Sequence, residues 1–521
     1  MRKEGNNLTG KYIRVNQLKA GAILSYTSMG VGYIVSIIYT PIMLRLLGQS
    51  EYGLYNLVAS VVAYLGVLNF GFGSAYIRYY SRYRVQEDKE KISKLNGMFL
   101  IIFSCIGLIA VIAGTILALN TEMIFGSELT IAELNRAKVL MMILVANLAI
   151  SFPNIVFTSH ITANEKFIFQ KIVEMIRVIV NPFIILPILV MGYGSIGLVI
   201  STTCLNIIIG AINAVYCIRK LKMRFSFINF DFSLMREMTI FSSFIFINLV
   251  IDQINWNVDK FILGRFHGTI SVAIYGLAAQ LNTYYLSIAT VISSVFIPRV
   301  HKIVASSNNN DELTELFTRI GRVQFIILTL FLSGLLFFGR PFINMWAGKN
   351  YDSSYPIVLL LIIPVTIPLI QNIGIEIQRA KNMHQFRSWV YFFIALGNLG
   401  LTIPLAKIYG GIGAAVGTAI SLIIGNGLIM NWYNHVKVGL DMRFFWKQIA
   451  SFTPALIIPI LVGAFINIYF NLYNVFNFLG FGVLYVVIFC SSMWLFGMNR
   501  YEKELIGAPF RKVINRLVKW I

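Results

Sequence analysis

The chain has 521 residues, of which 57% are hydrophobic and only 12% charged, and its mean hydropathy is +0.74. Soluble chains carry about 25% charge and are about half apolar, so a water-soluble globular chain is excluded and an all-α polytopic membrane protein is expected. The net charge of +21 would suit nucleic acid, but the placement of that charge along the chain points to a membrane and excludes that partner.

The segment MRKEGNNLTGKYIRVNQLK is basic and runs into a full-length apolar block with no small-residue cleavage site. It reads as the approach to a retained first helix rather than a removed signal peptide. Fourteen apolar blocks follow, at about 20–44, 53–77, 95–119, 138–159, 172–191, 196–217, 238–264, 271–298, 323–339, 357–378, 388–406, 414–434, 449–470 and 476–496. Each is close to the roughly 20 residues that a helix needs to cross a hydrocarbon core about 30 Å thick. The connecting segments are short, and none can hold a soluble domain. The tail RKVINRLVKWI spaces Ile514, Leu517, Val518 and Ile521 at i, i+3, i+4 and i+7 among basic residues, the pattern of an interfacial helix against anionic lipid or of a frayed basic end.

Sorting Lys and Arg by the side on which each loop falls puts about 34 of the 43 on the side of the N-terminus. The excess of cations on one side is the positive-inside rule, so both termini are expected in the cytoplasm. The four cysteines, Cys105, Cys204, Cys217 and Cys490, lie in or beside apolar blocks and form no CxxC pair, which suggests neither a disulfide frame nor a zinc site. The histidines fall in loops or at block edges without metal-ligand spacing, and no metal is expected.

The phrase Tyr193-Gly-Ser-Ile-Gly197 recurs as Tyr409-Gly-Gly-Ile-Gly413, 216 positions later. Although Gly192 to Gly197 matches GxGxxG, it lies between two apolar blocks, without the strand and later acid of a nucleotide site. Other echoes keep nearly the same offset: Pro187 with Pro404, Lys222-Met-Arg-Phe with Asp441-Met-Arg-Phe, and Leu46-Leu-Gly48 with Ile262-Leu-Gly264. An internal repeat of six spans follows. Six is even, so the copies enter from the same side and are parallel. The expected architecture is two six-helix lobes, 1–236 and 237–448, followed by two extra spans and the basic tail over 449–521.

With six plus six plus two spans, and LLGQSEYGLYNLVASVVAYLGVLNFGFGSAYIRYYSR after the first helix, the chain resembles the polysaccharide flippases of the multidrug/oligosaccharidyl-lipid/polysaccharide exporter superfamily. The likeness covers nearly the whole chain and is nearer the O-unit and capsule-repeat flippases than the multidrug extruders. It implies a V-shaped cavity between the lobes and a polyprenyl-pyrophosphate-linked glycan as substrate. A bacterial cytoplasmic membrane follows from it as the location. A monomer is expected, with membrane lipids around it and a polysaccharide polymerase as a conceivable partner.

An ionisable residue in mid-span costs about 2.5–3.5 kcal/mol on insertion scales, so each should face a cavity or a partner. The seventh span, IFINLVIDQINWNVDKFILGRF, stacks Asn248, Asp252, Asn255 and Asp259 on one face at i, i+4, i+7 and i+11, with Lys260 about 100° away. The matching first-span positions Ser36, Tyr39 and Met43 carry no charge. This stripe either lines the cavity, offering polar contacts to sugars and a site for H⁺ or Na⁺ at Asp252 or Asp259, or glues the helix to its neighbours. Glu174 and Arg177 are spaced to pair; alternatively Arg177, and likewise Arg78 at the inner end of the second span, receives the pyrophosphate. Arg45 is a rim charge at the far end of the first span. Gln280 with Tyr284 and Ser287, and Gln371 with Glu376, complete the polar positions, Glu376 as a second candidate ion site. No cofactor is called for.

The leading function is therefore a lipid-linked oligosaccharide flippase; the chain lacks GxxxxGK[ST], so no ATPase is built in. Two transport readings stand beside it, a cation-coupled drug antiporter and a lipid II flippase. A polytopic glycosyltransferase or polymerase is disfavoured by the short outer loops.

Overall fold

The computed structural model describes residues 17–228, 232–294, 296–306, 309–505 and 507; the amphipathic tail and the first basic residues lie outside them. Every regular element among the described residues is helical. In chain order they are α1 (Gln17–Leu47), α2 (Gln49–Leu65), α3 (Phe72–Val85), α4 (Lys89–Leu119), α5 (Ile131–Ala163), α6 (Phe167–Val190), α7 (Gly194–Val215) and α8 (Phe232–Ser294). After them come α9 (Ile297–Ser306), α10 (Asn310–Trp346), α11 (Ser354–Ile370), α12 (Ile373–Ala380), α13 (His384–Leu422), α14 (Met442–Ala450), α15 (Thr453–Tyr469) and α16 (Val475–Ser492).

Among the described residues ten helices are long and apolar enough to cross a membrane, and twelve if the bent pairs α11/α12 and α14/α15 each count as one span. Two helices hold more than one crossing. Within α8, Gly268 takes φ 72°, and Asp259 accepts a hydrogen bond from Tyr275 across it. A straight helix would hold residues 16 apart about 24 Å away from each other, so the chain reverses at Gly268. Likewise in α13, Gly410 takes φ 59° and Thr418 Oγ1 donates to Asn398 Oδ1 at 3.3 Å. Both reversals need the left-handed backbone that glycine adopts without steric cost. Dividing α8 and α13 at these glycines brings twelve crossings to fourteen.

Local chemistry sets the ends. Thr130 and Glu133 form a capping box at the start of α5, while Asp88 and Asp441 cap α4 and α14, satisfying amide groups that begin a helix unpaired. The second expected span is broken in its middle, where Phe70 (φ 50°) and Gly71 (φ 71°) separate α2 from α3. There Asn69 Oδ1 accepts from the Gly71 amide at 2.6 Å. Prolines stand inside α1, α5, α6 and α11; membrane helices tolerate them because neighbours satisfy the freed carbonyls.

Among the first six spans, α1 packs on α6, α4 on α5, and α5 on α7; among the next six, the arms of α8 and α13 meet, α10 packs on α11, and α11 on α13. The halves join mainly where α2 lies along α8, and α15 and α16 pack on α10.

Candidate functional site

Between the halves lies a cavity of about 680 Å³. Ser36 and Tyr39 of α1, Asn56 of α2 and Asn181 of α6 face Asn255, Lys260, Gln280 and Thr283 of α8 across it. Asn181 stands beside Pro182, one helical turn from Arg177. The polar part of the lining is therefore amides and hydroxyls with one ammonium and the Asp259 carboxylate, set among apolar side chains such as Met43, Ile185 and Leu361. Lys260 has no carboxylate within ion-pair distance among the described residues.

Beside the cavity, Asp259 is only 2% exposed. The reversal at Gly268 brings Tyr275 onto one of its oxygens, and Thr418 donates to the same oxygen at 3.2 Å. Thr418 and Thr402 both reach Asn398 Oδ1, at 3.3 and 3.0 Å, so four spans of the second half, the two arms of α8 and the two of α13, meet in one polar knot. The second carboxylate oxygen, Oδ1, has no hydrogen-bond partner among the described residues.

On the side opposite the basic loops, the halves are latched. Glu133 Oε1 accepts from Ser50 at 2.7 Å and from Thr269 at 2.8 Å. Gln49 donates to the Asn350 carbonyl at 3.0 Å, Trp346 to the Ile37 carbonyl at 2.7 Å, and Arg265 to the carbonyls of Met123 and Ile124 at 2.7 and 2.6 Å. Gln280 bridges the halves nearer the cavity, donating to Thr40 at 3.2 Å and accepting from Tyr52 at 3.3 Å. On the basic side the contacts are aromatic: Phe70 stacks on Phe246 at 4.6 Å and the Arg78 guanidinium sits 4.6 Å from the Phe241 ring centre.

The residues expected from the sequence divide accordingly. Asn255, Asp259, Lys260 and Gln280 line the cavity, and so do Ser36, Tyr39 and Met43. Asp252 is exposed and lines a separate small pocket of about 160 Å³ with Arg387 and Asn426; Asn255 belongs to both spaces. Asn248 is exposed and outside the cavity lining. Arg45 takes part in the latch, reaching the Met345 carbonyl at 3.3 Å, and Arg78 holds the aromatic contact on the basic side. The expected Glu174–Arg177 pair does not form: Glu174 pairs with Lys171 at 2.7 Å, one turn the other way. Arg177 is exposed, one helical turn from Asn181 on the cavity-lining face, and makes no ion pair with a described residue. Gln371 packs within the second half, donating to Asn431 at 3.1 Å, and Glu376 already holds Arg379 at 2.7 Å. Neither lines the central cavity. His160, expected at an edge, is buried inside α5 with Nδ1 2.7 Å from the Tyr76 hydroxyl.

Sequence reasoning missed Asn56, Asn181, Tyr275 and Thr418; Tyr275 and Thr418 meet Asp259 from 16 and 159 residues away, and Asn181 beside an in-helix proline was the one local signal. It also missed an apolar groove of about 620 Å³ running along the outside of α1 and α8 toward α10 and α16. Tyr33 and Tyr284, with ring centres 5.6 Å apart in an edge-to-face contact, both line the groove, and the Tyr284 hydroxyl accepts from the cavity residue Gln280 at 2.6 Å, which makes the pair the seam between the two spaces. Among the described residues, no group of three or more His, Cys, Asp or Glu is placed to hold a metal ion.

A polar cavity enclosed between two similar bundles, latched on one face, defines a membrane protein of the transporter type, and known structures share its fold. A lipid II flippase, MurJ, in an inward closed conformation superposes with TM-score 0.72 at 17% identity, covering 95% of this chain and 99% of that one. An inward-facing multidrug resistance MATE family transporter superposes with TM-score 0.64 at 12% identity, over 82% and 99% of the two chains. The model of the polysaccharide biosynthesis protein family matches residues 18–304, more than half of the chain, and the protein belongs to that family. A proposed O-antigen transporter of Shigella flexneri is 22% identical over 396 residues, 74% of this chain and 90% of its own.

Proposed function

We propose that the protein carries a polyprenyl-pyrophosphate-linked oligosaccharide repeat unit across a bacterial cytoplasmic membrane, for assembly into a surface polysaccharide. The observation that carries this reading is the pairing of a polar cavity with an apolar groove across the Tyr33–Tyr284 seam. A glycolipid needs both: amides and hydroxyls replace water around the sugars, and the apolar groove packs against the polyprenyl chain, which stays out of water throughout. Lys260 in the cavity and Arg177 at its basic end are the cations suited to the pyrophosphate.

The basic loops and both termini face the cytoplasm in this reading, so the latch of Glu133, Ser50 and Thr269 closes the far side while the glycolipid loads. Transport then requires the two halves to rock about the cavity. Asp259 Oδ1 is the acceptor free to take a coupling H⁺ or Na⁺. The protein works as a monomer that delivers its product to a polymerase on the far side.

The test is made on a deletion strain. Lipid extracts should accumulate polyprenyl-pyrophosphate-linked repeat units while surface polymer is lost, with cell-wall precursor unchanged. Accumulated lipid II would favour the cell-wall variant, and unchanged glycolipids with heightened sensitivity to cationic dyes would favour the antiporter.

A further inference from the structure

Away from the central cavity, on the face carrying the latch, the last turns of α10, the start of α11 and the α15–α16 turn enclose a second pocket of about 370 Å³. It shares no lining residue with the central cavity or the apolar groove. Its walls combine ring faces with amides: Tyr355, Phe470 and Tyr473 stand around Asn467 and Asn471. Arg340 lies within it but its charge is spent. The guanidinium holds Asp352 by two nitrogens, at 2.6 to 3.1 Å.

The turn that carries these groups is fixed by its own hydrogen bonds. Asn471 Oδ1 accepts from the Tyr473 amide at 3.0 Å, the Asn471 carbonyl accepts from Asn477 at 3.0 Å, and the Tyr355 hydroxyl donates to the Leu336 carbonyl at 2.6 Å. Asn467 is anchored through its Nδ2 to the Phe337 carbonyl. Three polar groups remain without a protein partner among the described residues: Asn467 Oδ1, Asn471 Nδ2 and the Tyr473 hydroxyl. The pocket thus offers an acceptor, a donor and a hydroxyl beside aromatic faces, with no net charge.

We propose that this pocket is a second glycan site, which takes neutral sugar residues on the face where the carried oligosaccharide emerges. The inference rests on the flippase reading for the origin of its ligand. Charge decides the class: a phospholipid headgroup or free phosphate requires an unpaired cation, and Arg340 is already neutralised by Asp352. A sugar presents hydroxyls in the plane of its ring and C–H bonds on its faces, which match amides and aromatic rings respectively. The segment between Trp346 and Asp352 also carries Asn350, which accepts from Gln49 in the latch. A sugar held here therefore sits beside the gate through which it passed.

The experiment uses the full chain in lipid nanodiscs and saturation-transfer NMR. The probe is the repeat-unit oligosaccharide released from the host's polymer by mild acid. Transfer to sugar protons is expected for the wild type, and a loss of about tenfold for Asn471→Ala/Tyr473→Ala, as for one or two lost hydrogen bonds. Both substitutions lie on an exposed turn, and an unchanged melting temperature verifies folding. Transfer that survives undiminished in the double variant would place the glycan in the central cavity alone and overturn the proposal. Absence of transfer to the wild type, or displacement of the sugar by dihexanoyl phosphatidylglycerol at equal concentration, would also overturn it. The deletion-strain lipid extract judges the flippase reading separately, because it involves no residue of this pocket.

Discussion

The latch opposite the basic loops can be weakened one bond at a time, and Thr269 is the place to begin. Its hydroxyl donates to Glu133 Oε1 at 2.8 Å, while the residue itself is 5% exposed. Valine has the same shape, so Thr269→Val removes the hydrogen bond and leaves the packing. A hydrogen bond to a charged acceptor contributes about 1.5–3 kcal/mol; because the Glu133 carboxylate is half-buried and keeps its bonds from Ser50 and Thr130, the lower figure applies. About 1.5 kcal/mol shifts the ratio of closed to open latch by roughly tenfold. Adding Ser50→Ala should shift it little further, because the Ser50–Glu133 bond lies within the first half and the contact of Ser50 with Thr269 at 3.2 Å is already lost. The assay is double electron–electron resonance between spin labels at Asn120 and Lys349, exposed positions on that face in the two halves, with the native cysteines replaced. A distance distribution unchanged in both the single and the double variant would refute the assignment of this cluster as a latch.

Other outcomes follow from the same structure. Arg322 (4% exposed) and Glu502 (1% exposed) form a buried pair at 2.5 Å, and Arg322 also donates to the Gln448 and Gly497 carbonyls; Arg322→Met alone should destabilise the protein by about 3–5 kcal/mol. The double variant with Glu502→Leu should recover part of that in thermal melts. Asp259→Asn should keep the fold, since Tyr275 and Thr418 can still donate to its carbonyl oxygen, yet abolish surface polymer; normal polymer would remove Asp259 from the coupling role. Asp252→Asn should likewise abolish surface polymer at normal membrane abundance, and unchanged polymer would assign the small pocket to packing. Lys260→Gln should lower the translocation rate in proteoliposomes at least about tenfold, the size expected for one lost charge-assisted bond to phosphate. An unchanged rate would move the pyrophosphate contact to Arg177.

The helices and their reversals were legible because each depends on local chemistry. Apolar blocks of the right length announced the spans, and the breaks expected near 264–271 and 406–414 fall at Gly268 and Gly410. The polar stripe of α8 was half legible. Angular spacing correctly stacked Asn248, Asp252, Asn255 and Asp259, but periodicity carries no information on depth. Eleven residues rise about 16 Å along the axis, so the same face passes from Asn248 outside the cavity, through the Asp252 pocket, to the central space at Asn255 and Asp259. The partners of Asp259 were beyond reach: Thr418 is 159 residues away, and only packing of α13 on α8 brings it near. Glu174 shows the limit of helical spacing rules, since Lys171 and Arg177 both stood three residues away and the sequence could not choose between them.

The reversals at Gly268 and Gly410 leave no slack between the arms they join. Each hairpin has a vertex of one residue, so neither arm can slide along the other without unwinding a turn. Each pair must therefore swing as one stiff lever whose fulcrum lies at the latch face. Because the Asp259 knot ties both hairpins together within the lever, a displacement of a few ångströms at the latch becomes a larger sweep at the basic end, where the glycolipid would enter.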